Sequence, residues 1–217
     1  DFMADRISRD RENLIEIFRQ IIAISCDEDG VQFDTESIKA EPITVDKKYP
    51  GVRFYITAHM DTIVHNMSID IGFGDVVSPC PMTIDFPLLL GDIPSVNLQA
   101  YSLETVVAEK FQTMIDRDEA NSRMKDFFDC YQLLTQRSFS DEMLYEAIKA
   151  TFDNRALGYK TNLKLFSDEF ATDKDRIIRW KSFLKKINWK ENIPFASVMQ
   201  VIKTHLKPMA TRYWNEK

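Results

Sequence analysis

Between Met67 and Pro79 the chain reads Met-Ser-Ile-Asp-Ile-Gly-Phe-Gly-Asp-Val-Val-Ser-Pro. Met67, Ile69 and Ile71 alternate with Ser68 and Asp70, the period of a half-buried strand. Asp is a poor strand former. On the polar phase near a strand's end it is either a solvated edge residue or a ligand for a cation. The strand then breaks at a glycine-rich corner, Gly72 to Gly74, which carries a second carboxylate, Asp75. The segment requires a sheet, and it brings carboxylates to that sheet's end.

The rest of the chain divides around this strand. Ahead of it, Phe2 to Ala4 reads as a strand end. Leu14, Ile15, Phe18, Ile21 and Ile22 then follow helical spacing behind a cap at Ser8. Val31 to Thr44 and Val52 to Ala58 read as extended, and a turn is expected in His59 to Asn66. Met82 to Leu88 is a further short strand. After Pro94 the chain reads as helical. Helices are expected from Ser102 to about Asp116, from Asn121 to Thr135 and from Ser140. Thr151 to Ser167 reads as irregular. A capping box at Thr172-Asp173-Lys174-Asp175 opens a helix through Lys185, and a last helix runs from Pro194 to His205. The expected class is α+β: a mixed-sheet domain over residues 1–98 followed by a helical domain over 99–217.

With 217 residues, 44% hydrophobic and 29% charged, the sequence reads as a globular chain. No apolar run approaches the length of a membrane span. Three widely spaced cysteines, Cys26, Cys80 and Cys130, form neither a disulfide framework nor a zinc knuckle and fit a reducing, cytoplasmic compartment. A net charge of −6 excludes bulk nucleic-acid binding and leaves room for a local basic surface. Lys185-Lys186 and the stretch from Lys203 to Arg212 are the candidates; each also reads as a solvated helix face. The chain opens at Asp1 without an initiator methionine, the pattern expected of a fragment.

Two helical segments carry further chemistry. Lys110 has Val106, Val107, Thr113 and Met114 as its helical neighbours, so it sits beside an apolar stripe. A lysine there must snorkel to water or meet an anion. In Arg123-Met124-Lys125-Asp126-Phe127-Phe128-Asp129, the two aspartates share a face and repel unless cations intervene. Arg123 can pair with Asp126 and Lys125 with Asp129, which equally describes a solvated ion-pair face. Phe127, Phe128, Tyr131 and Leu134 read as packing.

A competing segment, Ala58-His59-Met60-Asp61-Thr62, resembles the His-x-Asp-Thr metal segment of zinc-dependent exopeptidases. That site needs further carboxylates and a distant histidine, and only His65 and His205 remain. The plain alternative is two surface histidines flanking a hairpin turn.

Taken together, Asp70-Ile71-Gly72-Phe73-Gly74-Asp75, Tyr101-Ser102-Leu103-Glu104-Thr105-Val106-Val107-Ala108-Glu109-Lys110, Arg117, and Arg123 to Asp129 resemble the successive motifs of the AbiEii/AbiGii toxin family. These are nucleotidyltransferase-like proteins of type IV toxin–antitoxin and phage-defence systems in bacteria. The resemblance covers about residues 1 to 135. It implies a nucleotidyltransferase fold and transfer of a nucleotide from an NTP to an acceptor such as tRNA, with Mg²⁺ as cofactor and a cognate antitoxin as partner. Asp1 would be the second aspartate of the family's Asp-x-Asp and, with Asp70, a metal ligand and catalytic carboxylate. Lys110 would hold the triphosphate. Asp126 and Asp129 would be catalytic, and Arg123 and Lys125 nucleotide-binding. The family's glycine loop and first aspartate have no counterpart here, so this chain alone is expected to be impaired or inactive. Ser68 stands where family members often carry a lysine. A module that keeps the fold without catalysis is the alternative.

Overall fold

A computed structural model describes residues 2–4, 7–25, 29–43, 51–86, 95–160 and 163–217. Cys26 and Asp1 lie outside the described residues, as do Asp46-Lys47-Lys48 and Pro94. The chain forms two compact units, Asp1–Asp75 and Val76–Lys217.

In the first unit, strand β1 (Phe2–Ala4) is followed by helix α1 (Arg11–Ile22) and strands β2 (Gln32–Pro42), β3 (Val52–Met60) and β4 (Ile63–Phe73). The sheet order is β1-β4-β3-β2. β1 runs parallel to β4, whereas β2, β3 and β4 are mutually antiparallel, so the sheet is mixed. Alternation then sorts the side chains. Leu14, Ile15 and Phe18 of α1 pack with Ala40 of β2, Val52 and Phe54 of β3, and Ile69, Ile71 and Phe73 of β4. The Phe18 and Phe54 rings stack with centroids 4.3 Å apart. On the other phase of β3 and β4, Arg53 faces Asp70, Tyr55 faces Ser68 and Thr57 faces Asn66. The carboxylate of Asp70 is thus turned away from the apolar layer by the same alternation that buries Ile69 and Ile71.

α1 is capped by Asp10 rather than by Ser8: the Asp10 carboxylate accepts from the Asn13 N–H at 2.8 Å. Ser8 instead accepts from the Asp10 N–H. The expected turn between His59 and Asn66 shrinks to Asp61-Thr62, because Asp61 takes a left-handed φ of 51° and lets β3 and β4 pair up to Met60 and Ile63.

The second unit opens with a two-stranded antiparallel hairpin, β5 (Met82–Phe86) and β6 (Val96–Ala100). Six α-helices follow among the described residues: α2 (Leu103–Arg117), α3 (Met124–Gln136), α4 (Asp141–Asn154), the short α5 (Asp168–Thr172), α6 (Lys174–Lys186) and α7 (Phe195–Asn215). β6 and α5 do not follow from the sequence pattern, and residues 87–88 of the expected strand lie outside the described residues. By contact, the hairpin groups with the helices rather than with the sheet. The helices share one core in which Trp180, Tyr145 and Tyr213 are the largest buried side chains. Each satisfies its polar atom: Trp180 Nε1 donates to the Ile193 carbonyl at 2.7 Å, Tyr145 to Glu216 at 2.5 Å and Tyr213 to Asp153 at 2.8 Å. Phe127 and Leu134 are buried, with Phe128 and Tyr131 packed on the same core.

Ser102 caps α2 and does more. Its hydroxyl accepts from the Thr105 N–H and donates to the Ser78 carbonyl at 2.7 Å. Thr105 donates to that same carbonyl and accepts from the Ser78 N–H at 2.9 Å. The segment after the glycine corner is thereby tied to the start of α2. No helix among the described residues is long and apolar enough to cross a membrane.

Candidate functional site

The helical candidates converge. Lys110 projects from α2, and Asp126 and Asp129 project from the first two turns of α3, one turn apart on one face. Lys110 Nζ lies 3.2 Å from Asp126 Oδ1 and 2.7 Å from Asp129 Oδ2. Arg123, at the N-cap of α3, donates from Nε to Asp126 Oδ2 at 2.5 Å. Lys125 Nζ donates to Asp129 Oδ2 at 2.5 Å. All five residues singled out here meet in one network, with the two pairings that the spacing allows.

The network is layered. Asp126 is almost fully buried, with 4% of its side chain exposed, and Lys110 is 19% exposed, whereas Arg123 and Lys125 reach solvent. Burial opposes the charge on Lys110, but the carboxylates of Asp129 and Asp126 outweigh it and raise the ammonium's pKa, so Lys110 is a fixed cation. Three cations meet two carboxylates, leaving one positive charge over. Cys130, one residue beyond Asp129, is fully buried beneath this cluster, and burial pushes its thiol well above the ordinary range.

Sequence spacing misses the layer beside it. Arg155, the C-cap of α4, donates to Gln112 Oε1 at 3.1 Å and lies 3.4 Å from Glu109 of α2. These contacts fix α2 against α4 on the flank of Lys110. They depend on helix packing, which spacing within one helix does not carry.

Asp70 belongs to the sheet unit, and its partner there is Arg53. The guanidinium donates from Nε to Oδ1 at 2.6 Å and from its terminal nitrogen to Oδ2 at 2.7 Å, a bidentate pair across the β3–β4 ladder. Arg53 holds the Asp70 carboxyl below its usual range, against partial burial. Arg53 also answers the departure at Ser68. It lies one strand over on the same face as Ser68 and Asp70, and it supplies a cation where residue 68 has none. Asp75 follows Gly74, whose φ is 77°. A Cβ on Gly72 would come within 3.5 Å of the Asp75 carboxylate.

The histidines do not converge. His59 is paired with Val64 and His65 with Ala58, so alternation sends the two imidazoles to opposite faces of the hairpin. They flank a tight turn, and among the described residues no group of three His, Cys, Asp or Glu side chains is placed to hold a metal ion.

A family model described as "Nucleotidyl transferase AbiEii toxin, Type IV TA system" matches residues 1–200 of the 217. The chain belongs to the AbiEii toxin family. The match runs well past the motifs, through α6 and into α7, so the helical tail belongs to the AbiEii domain as much as the sheet does. The AbiEii family is one of nucleotidyltransferase toxins of type IV toxin–antitoxin systems, which implies a nucleotide substrate and an antitoxin partner. A search of curated proteins gave no match to the chain.

Proposed function

We propose that this AbiEii protein transfers a nucleotide from an NTP to an RNA acceptor such as a tRNA, inside the bacterial cytoplasm, and that a cognate antitoxin counters the effect. The observation that carries the reading is Lys110, a half-buried ammonium clamped between two aspartates with two solvent-reaching cations above it. A structural ion pair needs one cation per carboxylate. Here a cation is left over, and a phosphate oxygen of an NTP would satisfy it. Arg123 and Lys125 meet the phosphates first, and Lys110 fixes them. Asp126 and Asp129 keep Lys110 charged and aimed.

The chemistry of Asp70 fits a divalent cation. Arg53 takes one lone pair from each carboxylate oxygen, and each oxygen keeps another. Mg²⁺ takes one or two carboxylates and completes its shell with phosphate and water. Asp70, with Asp1 as the second ligand, would hold it. The ion supplies charge neutralisation at the transferring phosphoryl group. A lowered pKa supports a ligand role for Asp70 over a general-base role, because a carboxylate held by a guanidinium is a weak base.

The test is NTP binding by calorimetry. Lys110→Met weakens binding at least tenfold while the helical content is retained. Binding unchanged by this substitution contradicts the assignment of Lys110.

A further inference from the structure

The last helix carries a surface that the reaction centre does not use. Two adjoining hollows share Lys207, Thr211 and Asn215 of α7. One is lined along α7 by Lys203, Thr204, Lys207 and Arg212; the other, about 330 Å³, by Tyr159, Lys160 and Trp214. Together they form one groove whose lining holds four cations, Lys160, Lys203, Lys207 and Arg212, and one carboxylate, Glu216, in a chain whose net charge is −6.

Three of those cations are partly committed. Lys160 Nζ donates to the Ile115 and Asp116 carbonyls at the end of α2, Lys203 lies 3.7 Å from the exposed Asp168, and Arg212 pairs with Glu142 and Glu216. Lys207 has no ion-pair partner among the described residues and is exposed. Tyr159 is 69% exposed, an unusual state for a large aromatic, and stands edge-on to Trp214 with centroids 5.5 Å apart. The Trp214 indole N–H is buried and lacks a hydrogen-bond partner among the described residues. Pro208, in the same wall, has no N–H to give the Thr204 carbonyl.

Cations spaced along a helix beside an exposed aromatic face are the elements that track a single-stranded backbone and stack its bases. We infer that this groove binds a single-stranded stretch of the acceptor RNA, with Lys207 on phosphate and Tyr159 on a base. The inference rests on RNA being the acceptor. The groove sets affinity for the acceptor and takes no part in NTP binding.

The experiment uses the full-length protein, a fluorescent single-stranded RNA in anisotropy titrations across a salt series, and nucleotide transfer measured on the same preparations. Lys207→Glu is expected to weaken RNA binding about tenfold and to lower the salt slope by about 0.7, the loss of one phosphate contact. Tyr159→Ala is expected to weaken binding about tenfold without changing the slope. NTP binding stays as in the unsubstituted protein for both. If the unsubstituted protein transfers nucleotide to RNA and both variants bind RNA equally well, the groove assignment falls and the transferase reading stands. If the unsubstituted protein binds no RNA, the groove assignment falls with the RNA acceptor.

Discussion

Arg53 and Asp70 stand directly opposite each other across the β3–β4 ladder, and the guanidinium donates to both carboxylate oxygens, at 2.6 and 2.7 Å. The pair ties the polar face of the sheet together at the residue proposed to hold the metal. It also favours the ionised form of Asp70, holding its folded pKa below that of a free carboxylate.

The sign of the pH effect follows. A depressed folded pKa contributes stability that is present above the unfolded value, near 3.9, and is lost as pH falls through the folded value. Melting temperature measured from pH 6 down to pH 2 should fall, and Asp70→Asn should flatten part of that fall below about pH 4. A curve of unchanged shape in Asp70→Asn contradicts the ion pair.

Lys110→Ala removes the cation between two carboxylates, one of them almost fully buried. Arg123 and Lys125 remain to offset the loss. Urea denaturation should show destabilisation of about 3 kcal/mol, the low end for breaking a buried pair. Lys110→Ala in an Asp126→Asn background should cost less than in the native background, because the uncompensated charge is then gone.

Ser102→Ala loses both a helix cap and a bond to the Ser78 carbonyl. The expected cost is about 1–2 kcal/mol in thermal or urea unfolding, with Thr105 still holding the Ser78 carbonyl. Ser102→Thr, which keeps the hydroxyl, should recover most of it.

Thiol labelling separates two cysteines. Cys80 is exposed and Cys130 is buried with its thiol pKa raised. A thiol reagent at pH 8, followed by peptide mapping, should modify Cys80 in the native protein and reach Cys130 only after denaturant is added. Native labelling of Cys130 contradicts the packing under Asp126 and Asp129.

Local pattern carried much of this. Alternation at Met67 to Ile71 announces β4, and the spacing of Arg123, Lys125, Asp126 and Asp129 announces the two ion pairs of α3. Arg53 was not legible, because its partner is set by strand register, a tertiary property. α7 outruns its expected end at His205 because Leu206, Ala210 and Tyr213 are buried and hold the helix past Pro208. α4 likewise continues to Asn154 since Thr151 and Phe152 face the core. β6 is five residues long, and only its pairing with β5 defines it. Proline and short polar runs are weak stop signals wherever core contacts continue beyond them.

Nucleotide transfer by this protein is proposed to depend on Asp70 and Lys110. The direct measurement is transfer of label from NTPs to total RNA by the full-length protein with Mg²⁺, beside Asp70→Ala and Lys110→Met. Labelled RNA is expected with the unsubstituted protein, and its loss in both variants and on chelation of the metal. Transfer that survives Asp70→Ala contradicts the site, and a full-length protein that binds NTP and RNA but transfers nothing contradicts the enzyme reading.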